Sequence, residues 1–359
     1  MIVVEDQILY LLTRQRFTSQ HHDEVLRFEL DQAIDWDTLF ITAEQQHVAP
    51  LVYNNLSSFA ADELSVPQSV LNKFKQAYIN NVFVKRGTAE ILEKVLALFA
   101  SKNIDVMLIK GEAINTMVYD QPWYTVSQDV DLVIHAMPEE INQTDHAEIT
   151  KTLDTFNKKR SRFKENIEYD FYEHHDMTMN NVLSVDFQRL WAEARKVELY
   201  GQPVYVLTIE DMLIAAAVNC CRKRFFWLKS ICDIATIIEK HPDLDWARLA
   251  TKSQAYRCAA ILYTALVVTQ MTVGCNIPNE FLDSLKVNPF RESTILRLLE
   301  NMIYNHSLAE LAVRAKVKVL GREFSRSLML VYASYPLQLL MPKLLEIYKG
   351  WRNPPPVPV

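Results

Sequence analysis

Two aspartates separated by one residue stand at the head of an apolar run in the sequence SQDVDLVIH, residues 127–135. Because side chains alternate between the two faces of a strand, Asp129 and Asp131 are expected to point the same way, with Val130 facing the other. Two carboxylates held on one face repel each other, and a cation that prefers oxygen ligands, such as Mg²⁺, relieves the repulsion. The doublet therefore predicts a metal site on a strand.

A second interpretation of the doublet stays open. Asp-x-Asp is a common pattern, and both aspartates would also be explained if they only capped the entrance of the strand in solvent. The stretch DLD at 243–245 is another instance, and it precedes the helical pattern DWARL. Aspartate is a favoured N-cap residue, so we interpret this second doublet as a helix cap.

A third acid, Asp186, lies in the stretch LSVDFQ, where residues typical of strands flank it. A neighbouring antiparallel strand would bring its carboxylate to the same centre as Asp129 and Asp131. Three carboxylates predict a two-metal site, in which cations about 4 Å apart assist in-line attack at phosphorus. The predicted chemistry is therefore phosphoryl or nucleotidyl transfer, with Mg²⁺ or Mn²⁺ as cofactor.

A phosphate contact is predicted upstream, in the stretch LIKGEAIN. Lys110 and Gly111 stand where an apolar strand pattern gives way to a helical one. Free backbone N–H groups at a helix start attract phosphate oxygens, and a lysine adds a full positive charge. The alternative is a glycine that eases a turn beside a solvated lysine.

These stretches together resemble a known family. The segments LIKGEAINTMVYDQPWYTVSQDVDLVI, SVDFQRLW and LTIEDMLIAAAVNCCRKRFFWLKSICDIATII, followed by DWARL, look like the uncharacterised nucleotidyltransferase family of the polymerase beta-like superfamily. Members tend to carry Lys-Gly, then Asp-Ile-Asp, an Asp-containing strand and a Leu-Lys-Trp-x-x-Asp-like motif. The resemblance spans roughly residues 80 to 280.

The resemblance implies a role for each matching residue. Asp129, Asp131 and Asp186 would ligate metal, with Asp186 as candidate base for the acceptor hydroxyl. Lys110 and Gly111 would replace the Gly-Ser phosphate-binding turn of more typical members, and Ser127 joins them as a nucleotide-binding residue.

The sequence also departs from the family pattern. Thr125 stands where members often have an arginine, and Asn219 and Lys223 stand where they often have histidines. Two functions follow: transfer of a nucleoside monophosphate from an NTP to an acceptor, or a catalytically impaired relative that binds a partner. The acceptor would be a protein, a small molecule or, least favoured by the negative net charge, a nucleic acid.

Hydrophobic periodicity predicts an α+β fold with a small mixed-sheet core between helical regions. We predict an N-terminal helical region (1–100), a nucleotidyltransferase-like core (101–207), a helical C-terminal domain (208–350) and a flexible tail (351–359). Within the core we expect a helix over 139–165 and two strands within 172–191. The apolar stretch 327–342 is interrupted by polar residues and proline, and is predicted to be a core or interface helix.

Composition excludes several classes of protein. Only 6 glycines occur in 359 residues, too few for a P-loop or a dinucleotide-binding fingerprint. The 5 cysteines show no paired metal-ligand spacing, which together with the lack of an export signal predicts a cytoplasmic protein without a transmembrane segment. The net charge of −6 argues against a broadly basic surface, although KKRSRFK (158–164) and Arg189, Arg195, Arg222, Lys223 and Arg224 add local positive charge. Such a run is either a solvated helix face or a site for an anionic acceptor.

Overall fold

The computed structural model describes residues 3–31, 33–60, 63–127, 129–160, 166–171, 177, 183–223, 225, 227–305 and 307–308. The predictions for the helical stretch 327–342 and for the tail 351–359 lie outside these residues. So do residues 161–164 of the basic run, and Arg224.

The N-terminal region is helical, as predicted. Its helices, which cover most of the described residues up to 101, are α1 (Val4–Leu12), α2 (Ser19–Asp31), α3 (Trp36–Gln45), α4 (Ala49–Leu56) and α5 (Gln68–Ser101). Polar residues begin some of these helices; for example, the Asp35 side chain accepts a hydrogen bond from the backbone of Thr38 at the start of α3. Helix α5, at 34 residues, runs from this region to the first strand of the sheet.

A five-stranded mixed sheet follows. Its strands and the helices between them are β1 (Val106–Ile109), α6 (Lys110–Met117), β2 (Asp129–Ile134), α7 (Gln143–Arg160), β3 (Asn166–Phe171), α8 (Phe187–Glu193), β4 (Arg195–Leu199) and β5 (Gln202–Val206), with a short 3₁₀ turn at Pro138–Glu140. The strand order is β3-β2-β1-β5-β4. Strands β1 and β2 are antiparallel, β2 and β3 are parallel, and β1 and β5 are parallel.

Alternation along β2 divides its side chains between two cores. Val130, Leu132 and Ile134 pack with residues of α5 and α7 on one side of the sheet. Val133 packs on the other side, in the larger core that includes the terminal helices. Asp129 and Asp131 therefore share the face of Val133, as the period of two predicts.

The C-terminal region returns to helices. They are α9 (Ile209–Arg222), α10 (Leu228–Lys240), α11 (Trp246–Ala255), α12 (Ala259–Thr272), α13 (Asn279–Ser284) and α14 (Pro289–Asn305). Thr208 caps α9 by accepting a hydrogen bond from the backbone of Asp211. Asp245 caps α11, so the second Asp-x-Asp doublet is a helix cap as predicted.

The predicted α+β class, with a small mixed sheet between helical regions, is confirmed. The division into the four predicted segments stays a prediction. One large apolar core joins helices from both ends of the chain, and it includes Leu9 of α1 and Leu266 of α12. All five cysteines are buried and reduced. Within the part of the chain that the structure describes, no helix is both long and apolar enough to cross a membrane.

Two local predictions differ from the structure, and one hairpin was not predicted. The helix predicted over 139–165 begins only at Gln143, after the 3₁₀ turn, and continues to Arg160, while residues 161–165 of the prediction lie outside the described residues. The hairpin of β4 and β5 was not predicted, although Tyr200 and Gly201, both with positive φ, form the tight turn that such a hairpin needs. Two strands were predicted within 172–191; residues 172–176 and 178–182 lie outside the described residues, and residues 187–191 belong to helix α8 where the second strand was expected.

Candidate active site

A cleft of about 180 Å³ opens where β1 ends and the antiparallel β2 begins. Its acidic side is formed by Asp129, Asp131 and Glu168, and the turn residues Lys110, Gly111 and Ser127 also line it. Five of the six residues predicted to form the site therefore meet at one place. Asp131 is 9% exposed and Asp129 is exposed, so the doublet spans the boundary between the protein interior and the cleft.

Glu168 is the cleft carboxylate that the sequence analysis missed. It lies on β3 directly beside Asp131 of β2 in the parallel register, so the two side chains share a face. Burial, followed by the negative charges of Asp129 and Asp131, raises the pKa of Glu168, and Lys110 opposes the rise. The alternation Ile167-Glu168-Tyr169-Asp170-Phe171, with acids on one face and apolar residues on the other, is the signal that would have found it.

Asp186 lies elsewhere in the fold, which corrects its predicted place on a strand beside β2. It is the exposed N-cap of α8, and its side chain accepts a hydrogen bond from the Arg189 backbone at 3.0 Å. Aspartate is favoured at this position because its carboxylate satisfies an otherwise unpaired N–H group at the helix start. It is not among the residues that line the cleft.

Lys110 bridges the acidic side of the cleft and the turn. Its Nζ atom lies 2.9 Å from Asp131 Oδ1, and both side chains are largely buried. The backbone of Lys110 has φ of +55°, in the left-handed region that costs free energy for a residue with a Cβ atom. The strained turn directs the chain from β1 into α6.

Gly111 is required by the close approach of Ser127. A Cβ atom on residue 111 would stand 2.6 Å from Ser127 Oγ and 3.8 Å from Lys229 Nζ. The side-chain amide of Asn115, in turn, lies 3.2 Å from Ser127 Oγ. The turn after β1 and the segment before β2 are therefore held together by a buried polar contact for which only glycine leaves room.

A buried ion pair supports this turn from behind. Lys85 of α5 and Glu112 of α6 lie 2.5 Å apart, and both are almost fully buried. The second oxygen of Glu112 accepts a hydrogen bond of 2.8 Å from Tyr200, at the turn of the β4–β5 hairpin. Since a buried charge is tolerated only when its hydrogen bonds are made, this network fixes the position of α6 against both α5 and the sheet.

Cationic side chains form another part of the cleft lining. They are Arg222 and Lys223 at the end of α9, and Lys229 in the first turn of α10. Lys229 is buried and lies 2.7 Å from Asp233, which also accepts a hydrogen bond from Tyr119. The Lys229–Asp233 pair belongs to the segment WLKSICD on which the resemblance partly rests.

The departures from the family pattern fall into two groups. Asn219 and Lys223 line the cleft, so the residues in place of histidine do face the site. Thr125 is fully buried, and its Oγ1 atom lies 2.9 Å from the Asn115 side chain. Of the other basic residues predicted around the cleft, Arg189 pairs with Glu193 on α8 instead of lining it.

His47 reaches the cleft from the N-terminal helices, beside Trp227 of the segment before α10. Burial, and then the positive charge of Lys229, lowers the pKa of His47 to about 4. The imidazole is therefore neutral at pH 7. No local pattern in the sequence connects His47 with the acidic stretch 80 residues later.

The acidic side chains have the right chemistry for a divalent cation, because Mg²⁺ prefers carboxylate oxygens and completes its shell with water and substrate phosphates. Burial raises the pKa of Glu168 most, and the negative charges of Asp129 and Asp131 raise it further; a cation would relieve this second cause. Among the described residues, however, no three acidic, histidine or cysteine side chains are already arranged as a metal cage. A cation bound here would therefore take part of its ligands from water or substrate oxygens.

The cleft lies on a small mixed sheet that carries an Asp-x-Asp strand beside a Lys-Gly turn, and these are features on which the resemblance to nucleotidyltransferases rests. The family model described as uncharacterised nucleotidyltransferase matches residues 32–274, and the chain belongs to that family. The match includes His47 and begins well before the stretch on which the resemblance was based. No curated protein and no solved structure matches the sequence.

Proposed function

We propose that this protein transfers a nucleoside monophosphate from an NTP to a hydroxyl group of an acceptor, with Asp129, Asp131 and Glu168 as the ligands of Mg²⁺ or Mn²⁺. The observation that supports this most is the composition of the cleft. Carboxylates from two adjacent strands and cations from two helices line the same small space. A metal–triphosphate complex presents both positive and negative charge, and this lining offers a partner for each.

The reaction follows from that arrangement. The acceptor hydroxyl oxygen forms a bond to the α-phosphorus while the bond from that phosphorus to the bridging oxygen breaks, and pyrophosphate leaves. The hydroxyl proton passes to a carboxylate of the cleft, for which Glu168 is our candidate in place of Asp186. The bound cation supplies charge neutralisation at the phosphate oxygens.

The chain's own residues bind and orient the substrate. Lys229, Arg222 and Lys223 offer positive charge to the triphosphate, as does Lys110 once it leaves Asp131. Gly111 lets the backbone of the turn approach the phosphates closely, with Ser127 beside it. Because Lys229 and Lys110 are largely buried, their attraction for phosphate is screened less than that of surface lysines.

One observation favours a second candidate, a partner-binding protein without catalysis. Asp131 is already paired with Lys110, and the described residues contain no preformed metal cage. A cleft that is neutralised internally would keep its fold with no need for metal or nucleotide.

Labelling separates the two candidates. Purified protein is incubated with each NTP labelled at the α-phosphate, with Mg²⁺ or Mn²⁺, and with a cell lysate as the source of protein, small-molecule and nucleic-acid acceptors. The enzyme is expected to transfer label to an acceptor and release pyrophosphate, and Asp129→Asn should abolish both. Absence of transfer from all four NTPs with either metal would contradict the proposed reaction.

A further inference from the structure

The cleft contains two aromatic rings that the proposed chemistry does not use. The rings of His47 and Trp227 lie with centroids 5.0 Å apart and planes at 73°, and both line the cleft. They come from segments 180 residues apart in the chain. An edge-to-face contact of this kind fixes the orientation of the larger ring.

Backbone and side-chain hydrogen bonds hold the two rings next to the acidic strand. The Val126 N–H group donates to the His47 carbonyl at 3.1 Å, which ties His47 to the segment that leads into β2. The buried side chain of Gln46 accepts a hydrogen bond of 2.8 Å from the Leu228 N–H group. His47 follows Gln46 and Trp227 precedes Leu228 in the chain. The hydrogen bond between Gln46 and Leu228 therefore holds the His47 and Trp227 rings close together.

A flexible side chain lies over one face of Trp227. The Nζ atom of Lys223 lies 5.4 Å from the centre of the ring, and Lys223 itself is exposed. The Trp227 side chain is half-buried, and the His47 ring contacts it from another side. An exposed lysine over an aromatic ring is held weakly, whereas a stacked nucleobase gains more from the same surface.

Lys223 also has an alternative partner in the same cleft once substrate is present. Its ammonium group is a mobile charge on a long stem at the end of α9. When a base occupies the indole, the displaced ammonium group can turn toward the triphosphate. The exchange replaces a weak contact by two stronger ones.

We propose that Trp227 is the nucleobase platform of this cleft, on which the base of the NTP stacks after displacing the Lys223 ammonium group, while His47 holds the indole in place. This inference rests on the proposed function and adds the part of the substrate that the carboxylates and lysines do not recognise. The neutral imidazole of His47 fits this role, because it adds no further positive charge beside the base.

The test compares ligands with and without a base. Binding of ATP, GTP, CTP and UTP, and of inorganic triphosphate, is measured by calorimetry with Mg²⁺ present. Wild-type protein should bind its preferred NTP at least about ten-fold more tightly than triphosphate, in line with the effect of one stacked base. Trp227→Ala should remove that difference and leave triphosphate binding unchanged, and Trp227→Phe should retain most of it.

A matched control is available. Trp246 is also half-buried and also stands at the start of a helix, but it packs against Phe281 away from the cleft. Trp246→Ala should leave the preference for NTP over triphosphate intact. A triphosphate that carries 2-aminopurine gives a second readout: stacking quenches its fluorescence, so Trp227→Ala should lose the quenching and Trp246→Ala should keep it.

Two outcomes overturn the inference, and they differ in what else they affect. If wild-type protein binds NTP and triphosphate equally tightly, there is no base platform, while the proposed reaction still stands. If neither ligand binds with Mg²⁺ or Mn²⁺, the proposed function fails together with the inference. The comparison of NTP with inorganic triphosphate uses wild-type protein, so its result can be interpreted even if Trp227→Ala does not fold.

Discussion

Lys110 Nζ lies 2.9 Å from Asp131 Oδ1, with the two side chains 10% and 12% exposed. One is the residue we assign to phosphate and the other is a residue we assign to metal. In this structure they neutralise each other, so each reduces the attraction of the other for metal or phosphate. Binding of the cation and binding of the nucleotide should therefore depend on each other, because each offers one member of the pair a new partner.

The first prediction concerns Lys110→Met. Without nucleotide, Mn²⁺ should bind about ten-fold more tightly to the variant than to wild type, since Asp131 no longer has a competing cation. With metal present, NTP should bind about ten-fold more weakly, because a phosphate contact is lost. Electron paramagnetic resonance of free Mn²⁺ measures the first effect, and calorimetry measures the second.

The control is Lys223→Met, which removes a cleft lysine that is 5.4 Å from an indole ring and not paired with Asp131 in the contacts described. It should weaken NTP binding without strengthening Mn²⁺ binding. If both variants changed Mn²⁺ affinity equally, the effect would come from net charge alone, and the specific competition for Asp131 would be wrong.

A second prediction distinguishes the two candidates for the third carboxylate. Glu168→Gln should lower nucleotidyl transfer at least about a hundred-fold, as expected for loss of a group that assists proton transfer, and should leave stability nearly unchanged. Asp186→Ala should have little effect on transfer but lower the free energy of unfolding by about 1 kcal/mol, the usual effect of removing an N-cap. Urea denaturation measures the stability of both variants, and the labelling assay measures their transfer activity. If Asp186→Ala lost transfer and Glu168→Gln did not, Asp186 and not Glu168 would be the third carboxylate of the site.

The third prediction concerns Gly111. Gly111→Ala should destabilise the protein by about 1–3 kcal/mol, because the new methyl group would overlap Ser127 Oγ. In a Ser127→Ala background the same change should cost less, since the overlapping oxygen is gone, and a double-mutant cycle of unfolding free energies gives the coupling. Gly87 of α5 has nothing within 4 Å of a Cβ position, so Gly87→Ala should instead stabilise the helix by about 0.5–1 kcal/mol.

The fourth prediction concerns pH. Glu193 of α8 lies 2.6 Å from the buried Lys252 of α11, and this hydrogen bond, joined by those from Arg189 and Arg248, lowers the pKa of Glu193 to about 2. A carboxyl group whose pKa is lower in the folded protein adds stability above its ordinary pKa of 4.5, and that stability is lost as the pH falls toward about 2.

Urea denaturation between pH 7 and pH 3 tests this sign. Wild type should exceed Glu193→Gln in stability at pH 7, and the difference should shrink steadily below about pH 4.5. The exposed Glu198 on β4 supplies the control, because Glu198→Gln should change stability little at any pH. A difference for Glu193→Gln that stayed constant with pH would show that its contribution is packing and not charge.

Local pattern was enough to predict one half of the cleft. The change of period around Lys110 and the alternation after Asp129 predicted a strand, a helix and a second strand, and the structure has these elements in that order. Each signal depends only on residues a few positions apart, which is the range over which side-chain periodicity reports backbone conformation.

The other half depends on contacts that no local pattern encodes. Asp186 was placed on a strand because Val185 and Phe187 favour strands, but its carboxylate satisfies the start of α8. The cationic residues Arg222, Lys223 and Lys229 were visible as charges, yet they reach the cleft only because α9 packs against α6 and α10 packs against α9. His47 is still more distant in the sequence, and the hydrogen bond that its carbonyl accepts from the Val126 N–H group holds it beside the cleft.

The hydrogen bond from the Leu228 N–H group to the Gln46 side chain joins residues 182 positions apart. Closing so long a segment costs chain entropy, so we expect this contact to form late in folding. During synthesis, moreover, the sheet strands leave the ribosome before Trp227 does. The nascent chain therefore can form its acidic strand pair well before the cleft has both walls, and it acquires a complete site only when α10 docks onto the end of α3.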